Sequence, residues 1–263
     1  TKVIAAYFGS PSAAGLDELP ASFNFPLSDR ILRAVLESDA TPIAGKIDEV
    51  QKAYPKGALD APFLTNHDQV RLATQLGRNA GRLRNAAAIL LTLPGAPFLY
   101  YGEEVGIENG PTGGDESKRT PMPWDATPGG GFTTGTPWFG FAPGRETANV
   151  ASQTNDPGSL LSRYRNLIRA RKSSEALLEG DLVLLSPVSG TSPALAFLRV
   201  TPGETALVVH NLTDGFVSAG PYAVNGTSFE PIFVDGTAGG PSGGAGSIRV
   251  NLPARGTGVW RVR

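Results

Sequence analysis

The stretch Phe63–Asp68 reads Phe-Leu-Thr-Asn-His-Asp, and it says more about the fold than any other part of the chain. Its apolar start ends in an amide, an imidazole and a carboxylate, which bind sugar hydroxyls well and are costly to bury. A short buried strand with polar groups at its C-terminal end is typical of the active-site rim of a parallel barrel. A strand followed by an Asx turn, with Asp68 as the N-cap of a helix starting near Val70, explains the same residues. The stretch alone supports both interpretations equally.

Length, composition and charge limit the class of protein. The 263 residues, 40% of them apolar, are enough for one large domain or for a large domain with a small companion. Basic and acidic residues number 23 and 24, which argues against a nucleic-acid binder or a protein bound to an anionic membrane. The net charge of −1 is more typical of a protein that binds an uncharged partner. The chain has no Cys, so disulfides and thiolate metal sites are excluded.

The sequence shows neither a membrane span nor a signal sequence. No apolar run approaches the roughly 20 residues that a membrane-spanning helix needs, and the first residues lack a basic-then-apolar pattern. The chain begins at Thr1 and its single Met is Met122, so we expect a processed or truncated piece of a longer product. Localisation is left open, and a secreted or periplasmic location is compatible with these features.

The apolar pattern of residues 1–104 predicts strands and helices in alternation. Gly and Pro interrupt the pattern, and Ser28 or Asp29 is placed to cap the first helix. Such alternation builds a parallel sheet, so the fold class is α/β. The predicted strands are Ser22–Leu27, a segment at Phe63 and Ala96–Tyr101, and the predicted helices are a segment from Asp29, Ile43–Ala53, Val70–Gly77 and Arg82–Leu93.

Residues 105–158 differ from the preceding part because they carry much of the Gly and Pro of the chain. A loop of this length inside a compact domain is normally functional or disordered. Aromatic residues are interleaved with the Gly and Pro, and disordered segments are usually poor in aromatics. We therefore expect a functional loop, with its aromatics at Trp124, Phe132, Trp138, Phe139 and Phe141.

The C-terminal part begins with an amphipathic helix at Ser159–Ser174. From Asp181 the pattern changes to short strands separated by Gly, Pro, Asn and Thr turns. This pattern predicts a small antiparallel sandwich. We therefore expect two domains, residues 1–178 with the long rim loop 105–158, and residues 179–263. The clearest strands are Ala194–Val200, Thr205–Asn211 and Gly258–Val262.

Three motifs carry a resemblance to a known family. They are Phe-Leu-Thr-Asn-His-Asp at 63–68, Phe-Leu-Tyr-Tyr-Gly-Glu-Glu at 98–104 and Arg-Thr-Pro-Met-Pro-Trp-Asp at 119–125. In order and spacing they resemble the alpha-amylase family, glycoside hydrolase family 13. The third motif resembles the branch of oligo-1,6-glucosidases, trehalose synthases and related bacterial alpha-amylases. The resemblance covers essentially the whole chain, weakly in the sandwich, and implies the C-terminal portion of a (β/α)8 TIM barrel, strands six to eight, followed by an all-β antiparallel sandwich.

The resemblance also implies where the catalytic groups lie. In the family the nucleophilic Asp follows the fourth barrel strand and the acid/base Glu follows the fifth. Residues 1–29 look like the stretch directly after that Glu, so we expect this chain to lack both groups and to be inactive alone. Asp68 resembles the family's third carboxylate, which stabilises the transition state by bonding hydroxyls of the sugar in the −1 subsite.

Four further residues are candidates for binding the sugar. The resemblance implies that His67 donates to a hydroxyl of the same sugar, while Asn66 binds it or only braces the loop. Arg119 and Trp124 suit a sugar site because a guanidinium donates to hydroxyls and an indole stacks on a pyranose. A Trp in a Pro-rich loop packs structurally as often. No metal ligand and no cofactor are assigned in this chain, and calcium in the complete protein is left open because its usual family ligands fall upstream.

The remaining polar residues of interest are given structural roles. Arg71 is expected to pair with an acid on its helix face rather than to orient Asp68. Glu103 and Glu104 would point to opposite faces of a strand, so they cannot readily flank one glycosidic bond. His210 is expected to be structural. A small solvated charged patch is expected from Asp115, Glu116 and Lys118.

Together these features predict part of a retaining hydrolase of alpha-glucans or maltooligosaccharides. The alternative is a non-catalytic carbohydrate-binding or assembly module derived from the same family. The expected partners are the sugar and the N-terminal part of the same enzyme, with neither nucleic acid nor membrane. Three strands cut from a barrel leave open edges, so the isolated chain is also expected to self-associate.

Overall fold

The computed structural model describes residues 1–9, 11–12, 15–16, 18–236, 239–244 and 246–263. Its first part is mainly helical and its last part is built of strands. The helices are α1 (Lys2–Ala6), α2 (Phe25–Glu37), α3 (Thr41–Ala53), α4 (Leu72–Gln75), α5 (Ala80–Thr92), α6 (Val150–Thr154), α7 (Leu160–Lys172) and α8 (Glu175–Glu179). The strands are β1 (Pro11–Ser12), β2 (Gly15–Leu16), β3 (Ala21–Phe23), β4 (Leu59–Ala61), β5 (Asp181–Leu184), β6 (Ala194–Val200), β7 (Thr205–Asn211), β8 (Val217–Tyr222), β9 (Phe229–Val234), β10 (Ser242–Gly244), β11 (Ser247–Leu252) and β12 (Thr257–Val262).

A parallel layer forms in the first part, in the order that the alternation predicts. β3 pairs with β4 in parallel register, and Phe63 makes a parallel bridge to Phe98. The strand predicted at Ala96–Tyr101 is shorter than expected, because the pairing there consists of this bridge and of hydrogen bonds from the Ala96 and Phe98 amides to the Asp60 and Pro62 carbonyls (2.9 and 2.8 Å). Pro62 and Pro97 lack the N–H that a continuous ladder needs, which explains why regular pairing stops.

Helix α2 begins at Phe25 rather than at Asp29. The side chain of Asn24 caps it by accepting a hydrogen bond from a first-turn amide (3.0 Å), so the strand predicted at Ser22–Leu27 ends before this cap. The predicted caps are therefore wrong. Ser28 instead donates its hydroxyl to the Leu64 carbonyl (2.6 Å) and ties α2 to the Phe63–Asp68 stretch.

The other predicted helices are confirmed with small changes at their ends. α3 and α5 begin slightly before the predicted residues, and Asn79 caps α5. α7 follows Ser159, whose hydroxyl accepts a first-turn amide (3.1 Å). The helix predicted at Val70–Gly77 is reduced to the single turn α4.

The C-terminal strands form two antiparallel sheets, as predicted. Five strands lie in the order β5-β6-β7-β12-β9, and three lie in the order β10-β11-β8. Alternate residues of β6 and β7 face opposite sides: Phe197 and Val208 pack with the helices, whereas Leu207 and Val209 pack with the second sheet. The five-stranded sheet is therefore buried on both faces, between helices and the smaller sheet.

A cluster of charges joins the helices to this sheet. The carboxylate of Asp235, at the end of β9, accepts from Arg163 on α7, from Arg84 on α5 (3.3 Å) and from the Thr257 amide (2.9 Å). Arg163 is buried, with 2% of its side chain exposed. The hydrophobic core contains residues from both sides of position 178, and the charge cluster also joins the two sides. The division into domains 1–178 and 179–263 stays a prediction.

Segment 105–158 has little regular structure, as predicted, but side chains hold it in place. The amide of Gln153 donates to the Val105 carbonyl (2.9 Å) and accepts from the Leu161 amide (3.1 Å). A small apolar core forms beneath the segment. It contains Val105, Ile107, Ala142 and Leu161.

Candidate functional site

The Asn66–Asp68 turn is the centre of the candidate site. The side-chain oxygen of Asn66 accepts the Asp68 amide (2.9 Å), so Asn66 closes an Asx turn and braces the loop, one of the two roles predicted for it. Asp68 is not a helix N-cap, because α4 begins after Arg71. The turn leaves the next two side chains pointing outward: 61% of the His67 side chain and 64% of the Asp68 side chain are exposed.

His67 and Asp68 are adjacent in space as well as in sequence. The Nε2 atom of His67 lies 3.4 Å from Oδ2 of Asp68. An imidazole and a carboxylate side by side offer a donor and an acceptor to neighbouring hydroxyls of one sugar.

The rim loop holds this turn through two cations. Arg119 donates from Nη2 to Oδ1 of Asp68 (2.8 Å) and from Nε to the His67 carbonyl (3.1 Å). Lys118 donates to the Asp68 carbonyl (3.0 Å). Asp115 accepts from both cations, at 3.1 Å from Lys118 and 3.3 Å from Arg119.

Asp115 is exposed, as expected for the charged patch, whereas Lys118 is partly buried (21% of its side chain exposed). The contacts of both residues with the Asp68 site were not predicted. They belong to the network around Asp68. One sequence signal for these contacts was available: both residues lie within four positions of Arg119, which is a candidate site residue.

Arg71 lies behind the turn and fulfils neither of its expected roles. It is 1% exposed, its guanidinium lies over the rings of Tyr100 and Tyr101 (4.7 and 4.6 Å), and it donates to the Tyr101 carbonyl (2.8 Å). The two tyrosine hydroxyls donate to the carbonyls of Lys118 (2.9 Å) and Thr120 (2.7 Å). Arg71 thus supports the segment that carries Arg119.

An aromatic cavity of about 290 Å³ adjoins the turn. Most of its wall is apolar, with polar groups concentrated at the Asn66–Asp68 edge. Pockets of this composition are typical of ligand sites. Its lining residues are Phe23, Phe25, Phe63, Thr65, Asn66, His67, Asp68, Phe98, Leu99 and Tyr100.

Trp124 is not brought to this cavity. Its backbone N–H donates to the Gly130 carbonyl (2.8 Å), and half of its side chain is exposed elsewhere on the rim loop. Of the five candidate site residues, the structure brings together Asn66, His67, Asp68 and Arg119.

Glu103 is buried against α7 and does not lie on a strand, so the strand-based expectation for it is wrong. Gly102 has φ of 85°, and a Cβ there would lie 2.1 Å from Ile107, so only glycine allows the chain to turn into a short 3-10 helix. Tyr164 donates its hydroxyl to the Glu103 carboxyl group (3.2 Å). Burial raises the pKa of Glu103 to about 8.

This raised pKa predicts a pH dependence of stability. Between pH 4.5, the ordinary pKa, and about 8 the folded state holds a proton on Glu103 that the unfolded state has lost, so stability falls as pH rises. Glu103→Gln should flatten this dependence, because the amide is neutral at every pH and still accepts from Tyr164. Thermal unfolding of the complete protein and the variant at pH 5 and pH 8 tests this, and parallel curves would contradict it.

His210 is structural, as expected. It is fully buried, and its ring nitrogens contact the hydroxyls of Thr92 (3.1 Å) and Thr257 (2.9 Å). Burial lowers its pKa to about 3, so the ring is neutral. Within the described ranges, no three His, Asp or Glu residues cluster as metal ligands would, and no helix is long and apolar enough to span a membrane.

The parallel layer, its polar rim and the antiparallel sheets together define a partial α/β-barrel fold with an aromatic, ligand-sized cavity beside a polar rim. Comparison with protein families matches residues 18–180 to the family described as Alpha amylase, catalytic domain. The chain belongs to the alpha-amylase family of glycoside hydrolases.

Individual relatives agree with this assignment. Alpha-amylase 3 of Dictyoglomus thermophilum is 34% identical over 199 residues, which cover 74% of this chain and 39% of the relative. An oligo-1,6-glucosidase of Halalkalibacterium halodurans is 30% identical over 199 residues, covering 61% of this chain and 35% of the relative. A trehalose synthase of Pimelobacter sp. is 30% identical over 236 residues, which cover 73% of this chain and 40% of the relative. These relatives confirm the predicted branch of oligo-1,6-glucosidases, trehalose synthases and related bacterial alpha-amylases.

Solved structures show the same likeness. The alpha-amylase from H. orenii superposes with a TM-score of 0.80 at 29% identity, covering all of this chain and 51% of that one. An alpha-glucosyl transfer enzyme gives a TM-score of 0.77 at 25% identity, and the superposition covers all of this chain and 49% of that one. The chain thus spans about half the length of these structures and less of the curated relatives.

Proposed function

We propose that this chain supplies one wall of the active site of a retaining alpha-glucoside hydrolase that acts on alpha-glucans or maltooligosaccharides. In this proposal it forms strands six to eight of a (β/α)8 barrel and the sandwich behind it. The observation that carries the proposal is the exposed Asp68 carboxylate, held by Arg119 beside His67 at the edge of an aromatic cavity.

Asp68 is the transition-state stabiliser in this proposal. As the bond breaks, the sugar ring flattens toward an oxocarbenium ion, and hydrogen bonds to its hydroxyls strengthen. The ion pair with Arg119 holds the carboxylate in place, so little reorganisation is needed during the reaction. His67 donates to a neighbouring hydroxyl, and Asn66 keeps the turn closed.

The nucleophile and the acid/base lie outside this chain in the proposal. A retaining enzyme needs two further carboxyl groups about 5–5.5 Å apart, one of them protonated. Asp115 does not suit the acid, because hydrogen bonding to Lys118 and the charge of Arg119 lower its pKa. Burial raises the pKa of Glu103 and so favours its protonated form, but its carboxyl group is buried against Tyr164 and out of reach of a sugar.

The N-terminal part of the same enzyme is the proposed protein partner. Phe23, Phe25 and Phe98 are about half exposed beside the parallel layer, and their rings pack edge-on against each other or Phe63. Further barrel strands would cover them. Without that cover, self-association of the isolated chain is expected, since exposed apolar strand edges favour pairing with another chain.

Hydrolysis of maltooligosaccharides by the complete protein, followed by ¹H NMR, tests this function. The expected first product is the α-anomer, because two successive displacements retain configuration. The β-anomer as first product would overturn the retaining mechanism. Binding of the sugar without turnover would favour a non-catalytic carbohydrate-binding or assembly module instead.

A further inference from the structure

The hydroxyls of two adjacent tyrosines hold the backbone on either side of Arg119. Tyr100 donates to the Lys118 carbonyl (2.9 Å), and Tyr101 donates to the Thr120 carbonyl (2.7 Å). Both tyrosines directly follow the short parallel pairing at Phe98, so these bonds join the parallel layer to the rim loop. They fix the backbone from which the Arg119 side chain extends.

Arg71 holds the two tyrosine rings in place. Its guanidinium lies over both rings (4.7 and 4.6 Å) and donates from Nη1 to the Tyr101 carbonyl (2.8 Å). The rings pack edge-on against each other, with centroids 4.8 Å apart. Arg71 is itself buried, and its amide donates to the side-chain oxygen of Asn109 (2.8 Å). Cation–π and edge-on contacts together restrict the rings, so the hydroxyls are held at fixed points.

The ion pair between Arg119 and Asp68 depends on such support. The two side chains are 40% and 64% exposed, and an exposed ion pair is weak by itself because ordering two flexible side chains costs entropy. The neighbouring backbone supplies only the single 3-10 turn Glu116–Lys118. Fixing the backbone at Arg119 lowers the entropy lost when the pair forms. The pair can then hold the carboxylate within the small tolerance that catalysis requires.

We propose that Tyr101 is a positioning residue that acts on the Asp68 carboxylate through Arg119. The inference rests on the role of Asp68 in the proposed function. Tyr101 is not among the residues that line the aromatic cavity, so it acts through Arg119 rather than by touching the sugar. Tyr100 does line the cavity, and a change there would alter the sugar site directly.

Tyr101→Phe in the complete protein removes the hydroxyl and keeps the ring under the Arg71 guanidinium. With maltoheptaose as substrate, we expect kcat to fall by about 3- to 10-fold, the size of one hydrogen bond, and KM to change by less than about twofold. The effect falls on kcat because the hydrogen bonds from Asp68 to the sugar strengthen in the transition state. An unchanged kcat, or a rise in KM alone, would overturn the proposal.

The same substitution in an Arg119→Ala background tests the route of the effect. If Tyr101 acts through Arg119, Tyr101→Phe should cost nothing more once the guanidinium is gone. A further loss as large as that in the parent would contradict this route.

Tyr222→Phe is the matched control. Tyr222 is fully buried in the sandwich, and its hydroxyl donates to Oγ of Ser192 (3.2 Å). The variant removes a hydrogen bond of the same kind from another part of the chain, so kcat should not change. A loss equal to that of Tyr101→Phe would reveal a general effect of stability and refute the positioning role.

Hydrogen exchange of the complete protein, followed by mass spectrometry, gives a readout that needs no turnover. The Arg119 amide donates to the Glu116 carbonyl (2.9 Å), and the Asp68 amide donates to the Asn66 side chain (2.9 Å). Both amides lie in turns that the Tyr101 hydroxyl supports, one directly and the other through Arg119. Each should exchange about 3- to 10-fold faster in Tyr101→Phe, because losing the bond favours local opening.

If the complete protein hydrolyses no maltooligosaccharide, the proposed function fails, and hydrogen exchange decides the inference separately. Faster exchange at Arg119 and Asp68 in Tyr101→Phe, but not in Tyr222→Phe, would support the positioning role. Unchanged exchange at Asp68 would show that the tyrosine does not act on the carboxylate.

Discussion

Asp68→Asn in the complete protein should lower kcat for maltooligosaccharides by about 10²–10³-fold, the usual cost of losing one group that stabilises charge in the transition state. The amide removes the negative charge that faces the oxocarbenium ion and replaces one acceptor by a donor. Substrate binding should change less than kcat, because the lost interaction strengthens only as the ring flattens.

The fold should survive this substitution. The Asp68 side chain is 64% exposed, and an Asn oxygen can still accept from Arg119. Circular dichroism and thermal unfolding should therefore match those of the parent. Turnover close to that of the parent would contradict the role given to Asp68.

Asp115→Asn is the matched control. Asp115 has a similarly exposed side chain (58%) and also accepts from Arg119, but it does not line the cavity. Its loss should cost less than about tenfold, because an exposed ion pair contributes little. A loss as large as that of Asp68→Asn would mean that the network, and not Asp68 itself, carries the effect.

Asp235→Ala should destabilise the complete protein by about 3–5 kcal/mol, the cost of leaving a buried charge without its partner. Arg163 is 2% exposed, and Asp235 is its carboxylate partner as well as that of Arg84. The substitution also frees the Thr257 amide, which donates to Asp235 (2.9 Å). Helices α5 and α7 would lose their charged link to the five-stranded sheet.

Chemical denaturation measures this effect, with Asp48→Ala as the control. Asp48 pairs with Lys52 on the surface of α3 (2.7 Å), and both side chains are more than half exposed. Its removal should leave the unfolding midpoint within experimental error. A similarly small shift for Asp235→Ala would show that the buried charges are solvated or compensated in another way.

Local sequence signals predicted the strands of the sandwich well. β6 and β7 have the predicted ends, because turn residues bound each apolar run and both faces of the sheet need apolar side chains. The start of α2 was missed although its signal is present. Asn24 followed by Pro26 is a typical N-cap with Pro in the first turn.

Other features depend on contacts between residues far apart in the chain. Arg71 is buried because the rings of Tyr100 and Tyr101 cover it, and nothing near Arg71 in the sequence indicates this. Arg119 and Asp68 lie 51 residues apart in the chain. Their opposite charges are evident from the sequence, but the path of the rim loop that brings them together is not.

The measurement that tests the central claim most directly is the anomer-resolved hydrolysis of maltoheptaose by the complete protein and by this chain alone, side by side. We expect the complete protein to release the α-anomer first and the chain alone to show no turnover, because Asp68 holds the sugar but two further carboxyl groups break the bond. Turnover by the chain alone at a comparable rate would contradict the account, since the catalytic pair would then lie among its own residues.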